Sequence, residues 1–571
     1  MIDSKNKASI SSNIVLDIPS LDHESILQLA TENKSTFREQ DVYFHAGQIA
    51  LQTNTKATTA KIIAAKTLLH SSSIELGTDA KRNKIYTTKE VIATEQELLA
   101  QVKRLDELST YQLDHSVINH FLETASFTIS EEQKEAVWSV CNESNIAIIQ
   151  GSAGVGKTLT SSCVTTIYQQ HGHKVHGAAI AKSAANNLAD ETGIPCHTIA
   201  KLLISLDSRK PYLNKDDVLI VDEAGQIGTF QLNELLFFAD KIGFKVILVG
   251  EDKQLDAIRH GGVLRYLSSN NIIGTSRIET IRRQAELWDR QAVADFRDGY
   301  AHRALVQYDK RGQLKFSDTP EETKCAVIAS WKQFRAESSD KQYLVIAHRW
   351  SDVSDLNQRM RKVLQEEGIV GNENIKISGT VSNKDIDFEL SIGERVRFTK
   401  NDYDFNFTNG DTGTVTGIDK LDENDLVITI MRDNGRRAKV RTSLYCNDEG
   451  KIYLTSAYAQ TIYSSQGLTV NGDVFIYHTP GMDRANTYVA CSRHKNKAHL
   501  FASTCELEDY IPLNYVHAPK DVGIRAALAE QMSWDERPKL AIEYLETYEK
   551  HLSKKTTKIE IKQELNIQHT I

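Results

Sequence analysis

One glycine-rich loop constrains the fold of this chain more than any other stretch. Residues 146–160 read IAIIQGSAGVGKTLT, in which a short apolar run precedes the pattern G-x-x-x-x-G-K-T. The glycines let successive backbone N–H groups turn inward around a phosphate chain, and the following helix presents its positive N-terminal end to the same anion. The stretch therefore predicts a buried parallel strand, a Walker A loop and a helix.

The Walker A pattern names the residues that we expect to hold ATP. Lys157 is expected to reach the β and γ phosphates, and the Thr158 hydroxyl is expected to ligate Mg²⁺. The rest of the nucleotide-binding loop consists of Gly151, Ser152, Ala153, Gly154, Val155 and Gly156. The alternative is a glycine-rich turn without function, and the predicted strand and helix on either side argue against it.

Two further apolar runs end in polar residues that suit phosphoryl transfer. VLIV at residues 218–221 is followed by Asp222 and Glu223, and KVILVG at residues 245–250 leads to Gln254. Asp222 is expected to hold Mg²⁺, while Glu223 orients the attacking water. Gln254 is expected to sense the γ-phosphate, although an ordinary loop glutamine is the alternative.

Gln133 is a candidate for binding the adenine ring. It lies one turn into a helix that Ser130 is expected to cap, shortly before the Walker A strand. Its amide both donates and accepts, as reading an adenine edge requires. A glutamine in the first turn of a helix is also common, so its position before the loop is what favours this role.

The composition fits a cytoplasmic globular protein of several domains. Its 571 residues predict about three to five domains. No apolar run reaches the roughly 18 residues of a membrane span, and the N-terminus lacks the apolar core of a signal peptide. The seven cysteines are scattered without a C-x-x-C pair, which argues against a zinc site. The net charge of −8 excludes a wholly basic surface but permits a local basic groove.

The order of the motifs resembles that of superfamily 1 DNA helicases of the RecD-like 1B branch. The series is Gln133, GSAGVGKT, GAAIAKSAA, VDEAG, VGEDKQL (motif III), TIRRQ (motif IV), YAQTIYSSQG (motif V) and TYVACSRHK (motif VI). It is most similar to the helicase half of conjugative relaxase-helicases of the TraA/TraI (MobF) type. The resemblance implies a Mg²⁺-dependent ATP hydrolase that moves 5′ to 3′ on DNA, in conjugative transfer or DNA repair.

The resemblance also implies partners. They are single-stranded DNA and duplex/single-strand junctions, with a separate relaxase or other conjugation proteins, and no membrane. A relaxase needs a nicking domain with a clustered three-histidine metal site, and no such cluster is recognised before the first motif. We therefore expect a motor without a nickase. The competing hypothesis is an ATP-gated DNA-binding module, or a degenerate remnant, that does not unwind DNA.

Residues in the second half of the chain acquire roles from the same resemblance. Arg283 matches the motif IV arginine and Arg493 the motif VI arginine, and both are expected to stabilise charge on the γ-phosphate. Gln466 and Gly467 match motif V, which touches DNA and the γ-phosphate side. Motif III departs from the family, with Glu251 where aspartate is usual.

The expected fold class is α/β, with two RecA-like P-loop NTPase domains, a helical N-terminal module and an inserted small β-barrel. The expected divisions are a flexible leader (1–24), the helical module (25–125), domain 1A (126–284), the first part of domain 2A (285–385), the barrel (386–455), the rest of domain 2A (456–510) and a helical C-terminal tail (511–571).

The barrel is predicted by alternating apolar and polar residues with turn signals at 409–410 and at Asn434-Gly435. Its basic residues are interleaved with Phe398, Tyr403 and Phe407, which suggests a surface for stacking single-stranded bases, or else an ordinary barrel with charged edges. A short insertion at residues 203–217 is either a hairpin that splits the duplex, with the ring of Tyr212 capping a base pair, or a plain loop.

Overall fold

The computed structural model describes residues 22–547, except 80–81, 112, 258–259, 271, 339–340, 382–383, 403–404, 423–424 and 536. Most of the predicted leader and the end of the predicted tail lie outside these residues. Within the described part of the chain, no helix combines the length and apolar character needed to cross a membrane.

The N-terminal region combines helices with a small sheet that the sequence interpretation did not include. Its elements are α1 (His23–Thr31), β1 (Phe37–Arg38), α2 (Glu39–Gln52), α3 (Ala57–Leu68), β2 (Ser73–Thr78), β3 (Lys84–Thr88), α4 (Lys89–Glu107) and α5 (His115–Thr124). The strands pair antiparallel in the order β1-β3-β2. The Thr88 hydroxyl accepts the N–H of Val91 and so caps α4, which fixes the start of that long helix.

The first parallel sheet carries the Walker A loop. Its elements are α6 (Glu131–Val140), β4 (Ile146–Gly151), α7 (Lys157–Gln170), β5 (Val175–Ala179), α8 (Lys182–Thr192), β6 (Cys196–Thr198), α9 (Ile199–Leu206), β7 (Val218–Val221), α10 (Thr229–Ile242), β8 (Lys245–Gly250), α11 (Val263–Ser269) and β9 (Thr275–Ile278). The strand order is β6-β5-β7-β8-β4-β9, all parallel. Strands β4, β7 and β8 are buried along their whole length, as expected for a sheet covered by helices on both faces.

The connection between α9 and β7 is a plain loop. Residues 207–217 form turns and bends, without a hairpin. The Tyr212 ring packs edge-on against His176 and His197, with centroid distances of 4.9 and 4.7 Å. The hypothesis of a duplex-splitting hairpin at residues 203–217 is therefore wrong, because residues 203–206 complete α9 and residues 207–217 contain no strand.

A second αβ unit follows and is interrupted by an antiparallel insertion. Its first part comprises α12 (Leu287–Asp298), α13 (Ala301–Lys310), β10 (Leu314–Ser317), α14 (Pro320–Glu337), β11 (Gln342–Ala347) and α15 (Trp350–Glu366). The insertion comprises β12 (Ile375–Val381), β13 (Lys384–Leu390), β14 (Arg395–Phe398), β15 (Thr412–Lys420), β16 (Leu426–Arg432), β17 (Arg437–Arg441) and β18 (Leu454–Ser456).

Strands β14–β18 form an antiparallel sheet in the order β17-β16-β15-β14-β18, and β12 pairs with β13 in a separate hairpin. The sheet's edge strands, β17 and β18, share no ladder in the described residues, so closure into a barrel stays a prediction. The predicted boundary at residue 386 falls inside β13. Phe398 and Phe407 lie in the core of this sheet, at 0% and 5% exposure, so they are not free to stack on bases. Tyr403 lies outside the described residues.

The second parallel sheet is completed by β19 (Ala459–Thr461), α16 (Ile462–Ser465), β20 (Gly472–Tyr477), α17 (Arg484–Cys491), β21 (Ala498–Ser503), α18 (Thr504–Glu508) and α19 (Lys520–Gln531). Its order is β10-β21-β20-β11-β19, all parallel. Short 3-10 helices occur at Ala224–Gln226 and Leu513–Tyr515. The chain thus has the mixed α/β architecture, with two parallel sheets, that the sequence predicted.

The C-terminal segment, residues 537–547, returns from the second sheet to the first. Arg265 on α11 forms a two-pronged ion pair with Glu543, at 2.7 and 3.0 Å. Glu95 on α4 accepts the backbone N–H groups of Ala541 and Ile542 at 3.1 and 2.9 Å. The segment therefore contacts both the N-terminal region, through α4, and the first αβ unit, through α11.

Candidate functional site: a cleft between the two parallel sheets

A cavity of about 430 Å³ is lined by residues from both parallel sheets. The first sheet contributes the Walker A loop from Ser152 to Thr158, with Asp222, Glu223 and Gln254. Gly467 and Arg493 enter from the second sheet, and Arg283 from the connection between the two sheets. The structure thus brings together residues that are more than 300 positions apart in the sequence.

A larger cavity of about 800 Å³ lies between α15 and the β12–β13 hairpin. It contains no glycine-rich loop and no carboxylates at the end of a parallel strand. The smaller cavity is therefore the candidate active site.

The Walker A loop requires its glycines for both backbone shape and close approach. Gly154 and Gly156 have φ values of +79° and +90°, which side chains rarely permit. A Cβ atom on Gly154 would lie 2.4 Å from the Cβ of Arg283. Gly156 is the N-cap of α7, so Lys157 and Thr158 open the helix at the edge of the cavity.

Gln133 lines the cavity and contacts the Walker A loop. Its Oε1 accepts the N–H of Ser130, which closes the capping box of α6. Its Nε2 donates to the carbonyls of Val155 and Gly156 at 3.2 and 3.3 Å. The structure thus shows that Gln133 shapes the loop, and its expected contact with adenine stays a prediction.

Asp222 and Glu223 lie at the carboxyl end of β7, facing the loop. Burial and the neighbouring charge of Glu223 raise the pKa of Asp222, and Lys157 opposes that rise. Glu223 has a φ of +51°, an uncommon conformation for a residue with a side chain, at the point where it enters the cavity. The oxygens of Asp222 and Thr158 are hard donors of the kind that Mg²⁺ prefers, so these residues fit that ion.

Two arginines approach each other on the opposite wall. Arg283 donates from Nη1 to the carbonyl of Ser492 at 2.8 Å, and Arg493 donates from Nη2 to the Ser492 hydroxyl at 2.6 Å. Burial and the charge of Arg493 lower the pKa of Arg283 to about 10. The half-buried guanidinium of Arg283 and the buried one of Arg493 repel each other beside one cavity, and a bound polyanion would relieve that repulsion.

A chain of side-chain hydrogen bonds crosses between the two sheets. Gln466 donates to Gln254 Oε1 at 3.3 Å, and Gln254 donates to Glu251 Oε2 at 2.5 Å. Gln466 does not line the cavity, and neither does Gly151, whose carbonyl accepts from Lys157 Nζ at 2.7 Å. The motif III and motif V loops are therefore in direct contact through their glutamines.

Two residues at the cleft were not predicted from the sequence to have a role there. Arg297 on α12 donates from Nη1 to the Ser152 hydroxyl at 2.6 Å. Tyr488 on α17 contacts both the Walker A loop and motif III. Tyr488 sits within the predicted motif VI, which was the available signal, whereas nothing in the sequence around Arg297 indicated its contact.

Comparisons with known proteins found a matching family model and several similar proteins. A family model described as an AAA domain matches residues 128–319. The chain is 30% identical over 486 residues to a probable conjugal transfer protein TraA of Sinorhizobium fredii, a match that covers 83% of this chain and 41% of the relative. It is 29% identical over 486 residues to the conjugal transfer protein TraA of Agrobacterium fabrum, covering 83% and 42%.

The chain thus spans about two fifths of the length of these TraA relatives. The ATP-dependent RecD2 DNA helicase of Deinococcus radiodurans is 24% identical over 378 residues, covering 65% of this chain and 48% of that protein. A solved Pif1 helicase chain, from work on unwinding at forked double-stranded DNA, is 21% identical with a TM-score of 0.45. That match covers 70% of this chain and 98% of the Pif1 chain.

Proposed function

We propose, from the relationship of this chain to the TraA conjugal transfer proteins and to superfamily 1 helicases, that it is an ATP-dependent DNA translocase and helicase. The observation that carries the proposal is the composition of the cleft. A Walker A loop and two carboxylates on one wall face arginines on the other, and the two walls belong to different sheets. Binding and hydrolysis of a triphosphate there would change how the two sheets are held together.

Each residue has a role in that proposal. Lys157 neutralises the transferred phosphate, and Glu223 orients a water for attack. Arg283 and Arg493 stabilise the charge that develops in the transition state, an effect worth roughly 10³ to 10⁵ in rate for a well-placed arginine. When bound by Thr158 and Asp222, Mg²⁺ would supply charge neutralisation at the phosphates.

The contact between Gln254 and Gln466 supports a motor over a simple ATPase. Motif III and motif V lie on different sheets, and their glutamines touch each other beside the cavity. A change at the γ-phosphate would therefore be transmitted directly to the motif V loop. That coupling is what a translocase requires, because each nucleotide state must correspond to a different grip on the strand.

The finer features of the function rest on the relatives. We propose 5′ to 3′ movement on single-stranded DNA, in the cytoplasm. The name of the TraA relatives supports a role in conjugative transfer, alongside a relaxase or other conjugation proteins. Mobilisation of a plasmid from cells that carry only the Lys157→Ala protein tests this role, and undiminished transfer would contradict it.

DNA-stimulated ATP hydrolysis tests the proposed activity. The wild-type chain should hydrolyse ATP faster when single-stranded DNA is added, and Lys157→Ala should lose hydrolysis because the phosphates lose the cation of the loop. Lys332→Ala, an exposed lysine on α14, is the matched control and should behave as wild type. Turnover that ignores DNA would instead support the ATP-gated module or the degenerate remnant.

A further inference from the structure

Tyr488 places one hydroxyl between three loops of the cleft. Its side chain is completely buried on α17, five residues before Arg493. The hydroxyl accepts the backbone N–H of Ala153 in the Walker A loop at 2.7 Å. It also donates to Glu251 Oε1 in motif III at 2.7 Å. We infer that Tyr488 is a positioning residue that transmits the state of the Walker A loop to motif III and to the helix that leads to Arg493.

Tyr488 lengthens the chain of hydrogen bonds that crosses between the two sheets. Glu251 accepts from Tyr488 on one oxygen and from Gln254 on the other, and Gln254 accepts from Gln466. Tyr488 and Gln466 both belong to the second αβ unit, whereas Glu251 and Gln254 follow β8 of the first sheet. This chain of hydrogen bonds therefore crosses the cleft twice, from Tyr488 to Glu251 and from Gln254 to Gln466. Tyr488 also joins it to the Walker A loop at Ala153.

The chemistry of a tyrosine suits this position. A phenol hydroxyl donates and accepts at the same time, which Ala153 N–H and Glu251 together require. Burial raises the pKa of Tyr488 well above its usual value, so the hydroxyl keeps the proton that it donates. Because the surroundings exclude water, a movement of Ala153 leaves buried groups without partners, and the neighbouring residues must then rearrange.

Side chains from the second αβ unit and from the connection that precedes it contact the Walker A loop at three consecutive residues. Ser152 accepts from Arg297, Ala153 donates to Tyr488, and Gly154 packs on Arg283. These consecutive contacts leave the phosphate-binding part of the loop, from Gly156 to Thr158, free to face the cavity. A nucleotide that reshapes the loop must therefore act on the second αβ unit through residues 152–154.

This inference rests on the proposed function, and Tyr488→Phe tests it. The variant keeps the ring and removes only the hydroxyl. Nucleotide affinity and hydrolysis without DNA are measured first, so that stimulation is expressed as a ratio to the basal rate of each protein. Stimulation by single-stranded DNA should fall about tenfold, the factor that loss of one or two buried hydrogen bonds brings.

Tyr111→Phe is a closely matched control. Tyr111 is also completely buried, and its hydroxyl accepts the N–H of Lys245 at 2.8 Å and donates to the carbonyl of Asp217 at 2.7 Å. Tyr111→Phe therefore also loses one accepted and one donated bond, the donated one to a carbonyl and not to a carboxylate, at the amino ends of β7 and β8, away from the cleft. Equal loss of stimulation in both variants would show general destabilisation and overturn the inference, as would wild-type stimulation in Tyr488→Phe.

A second measurement separates this inference from the proposed function. Hydrogen–deuterium exchange is followed with and without a non-hydrolysable ATP analogue, which requires no turnover. In the wild type, the analogue should slow exchange in residues 151–158 and also change it in residues 251–257. In Tyr488→Phe the first effect should remain and the second should disappear. If the second persists, Tyr488 does not transmit the signal, whatever the ATPase assays show.

Discussion

Replacement of Glu95 by glutamine should abolish a pH dependence in the attachment of the C-terminal segment. Glu95 is almost fully buried on α4 and holds the N–H groups of Ala541 and Ile542. Burial raises its pKa from 4.5 to about 7, although these two hydrogen bonds lower it. When the segment detaches, Glu95 meets water and its pKa returns to the ordinary value.

The sign and size of the effect follow from proton linkage. Between pH 4.5 and about 7, the attached state binds more protons than the detached state, so attachment weakens as the pH rises. From about pH 5 to about pH 8, the free energy of attachment should fall by about 2.5 kcal/mol, or roughly 70-fold in the equilibrium. A glutamine does not titrate, so this contribution disappears in the variant.

Hydrogen–deuterium exchange of the peptide that covers residues 537–547 measures the attachment directly. The ratio of the wild-type rate to the Glu95→Gln rate at each pH cancels the intrinsic chemistry of exchange. Glu97→Gln, an exposed residue on the same helix, is the control and should leave the pH dependence unchanged. A wild-type to Glu95→Gln ratio that stays constant within about twofold from pH 5 to 8 would refute the reasoning.

Three further substitutions test the cleft and its surroundings. Gly154→Ala should weaken nucleotide binding at least tenfold by titration with a fluorescent ATP analogue, because its Cβ would collide with Arg283, whereas Gly172→Ala, which shares a positive φ but has open space around it, should bind normally. Arg283→Ala should lower kcat for ATP about 10³-fold or more with little change in nucleotide affinity, and unchanged turnover would remove the arginine from the reaction. Tyr212→Ala should unwind DNA at the wild-type rate while melting at a lower temperature, since its ring packs on His176 and His197; loss of unwinding with ATPase retained would show that Tyr212 acts on the duplex from a loop.

The local parts of the site could be predicted from the sequence because short-range patterns define them. The Walker A strand, loop and helix occupy consecutive residues, and Asp222 follows directly on an apolar strand. The turn at Asn434-Gly435 connects β16 and β17 in the same way. In each case the chemistry and the geometry are set by neighbours in the chain.

Contacts between distant segments could not be predicted from the sequence. Ala153 and Tyr488 are 335 residues apart, and Glu95 is 446 residues from Ala541. The sequence pattern of one segment does not indicate its hydrogen-bond partner in another, because the pairing depends on how the two sheets pack. Gln133 is the same case on a smaller scale, since only the folded loop shows that its amide donates to the carbonyls of Val155 and Gly156.

The pattern of strand β14 already argued against a base-stacking surface that combines its arginines with Phe398. Strand β14 alternates between buried and half-exposed residues, with Val396 and Phe398 buried and Arg395 and Arg397 less so. The period of two in a strand places arginine and phenylalanine on opposite faces, so they cannot form one surface. The alternation that predicted the sheet also argued against a mixed stacking platform built from the same strand.

Strand displacement on tailed duplexes tests the central claim most directly. Duplexes that carry a single-stranded 5′ tail or a 3′ tail are incubated with the wild-type chain, Mg²⁺ and ATP, and release of the labelled strand is followed. A 5′ to 3′ helicase should displace the strand only from the 5′-tailed duplex, and Lys157→Ala should displace neither. Absence of displacement from both duplexes, together with ATP hydrolysis that ignores DNA, would contradict the assignment of a motor to this cleft.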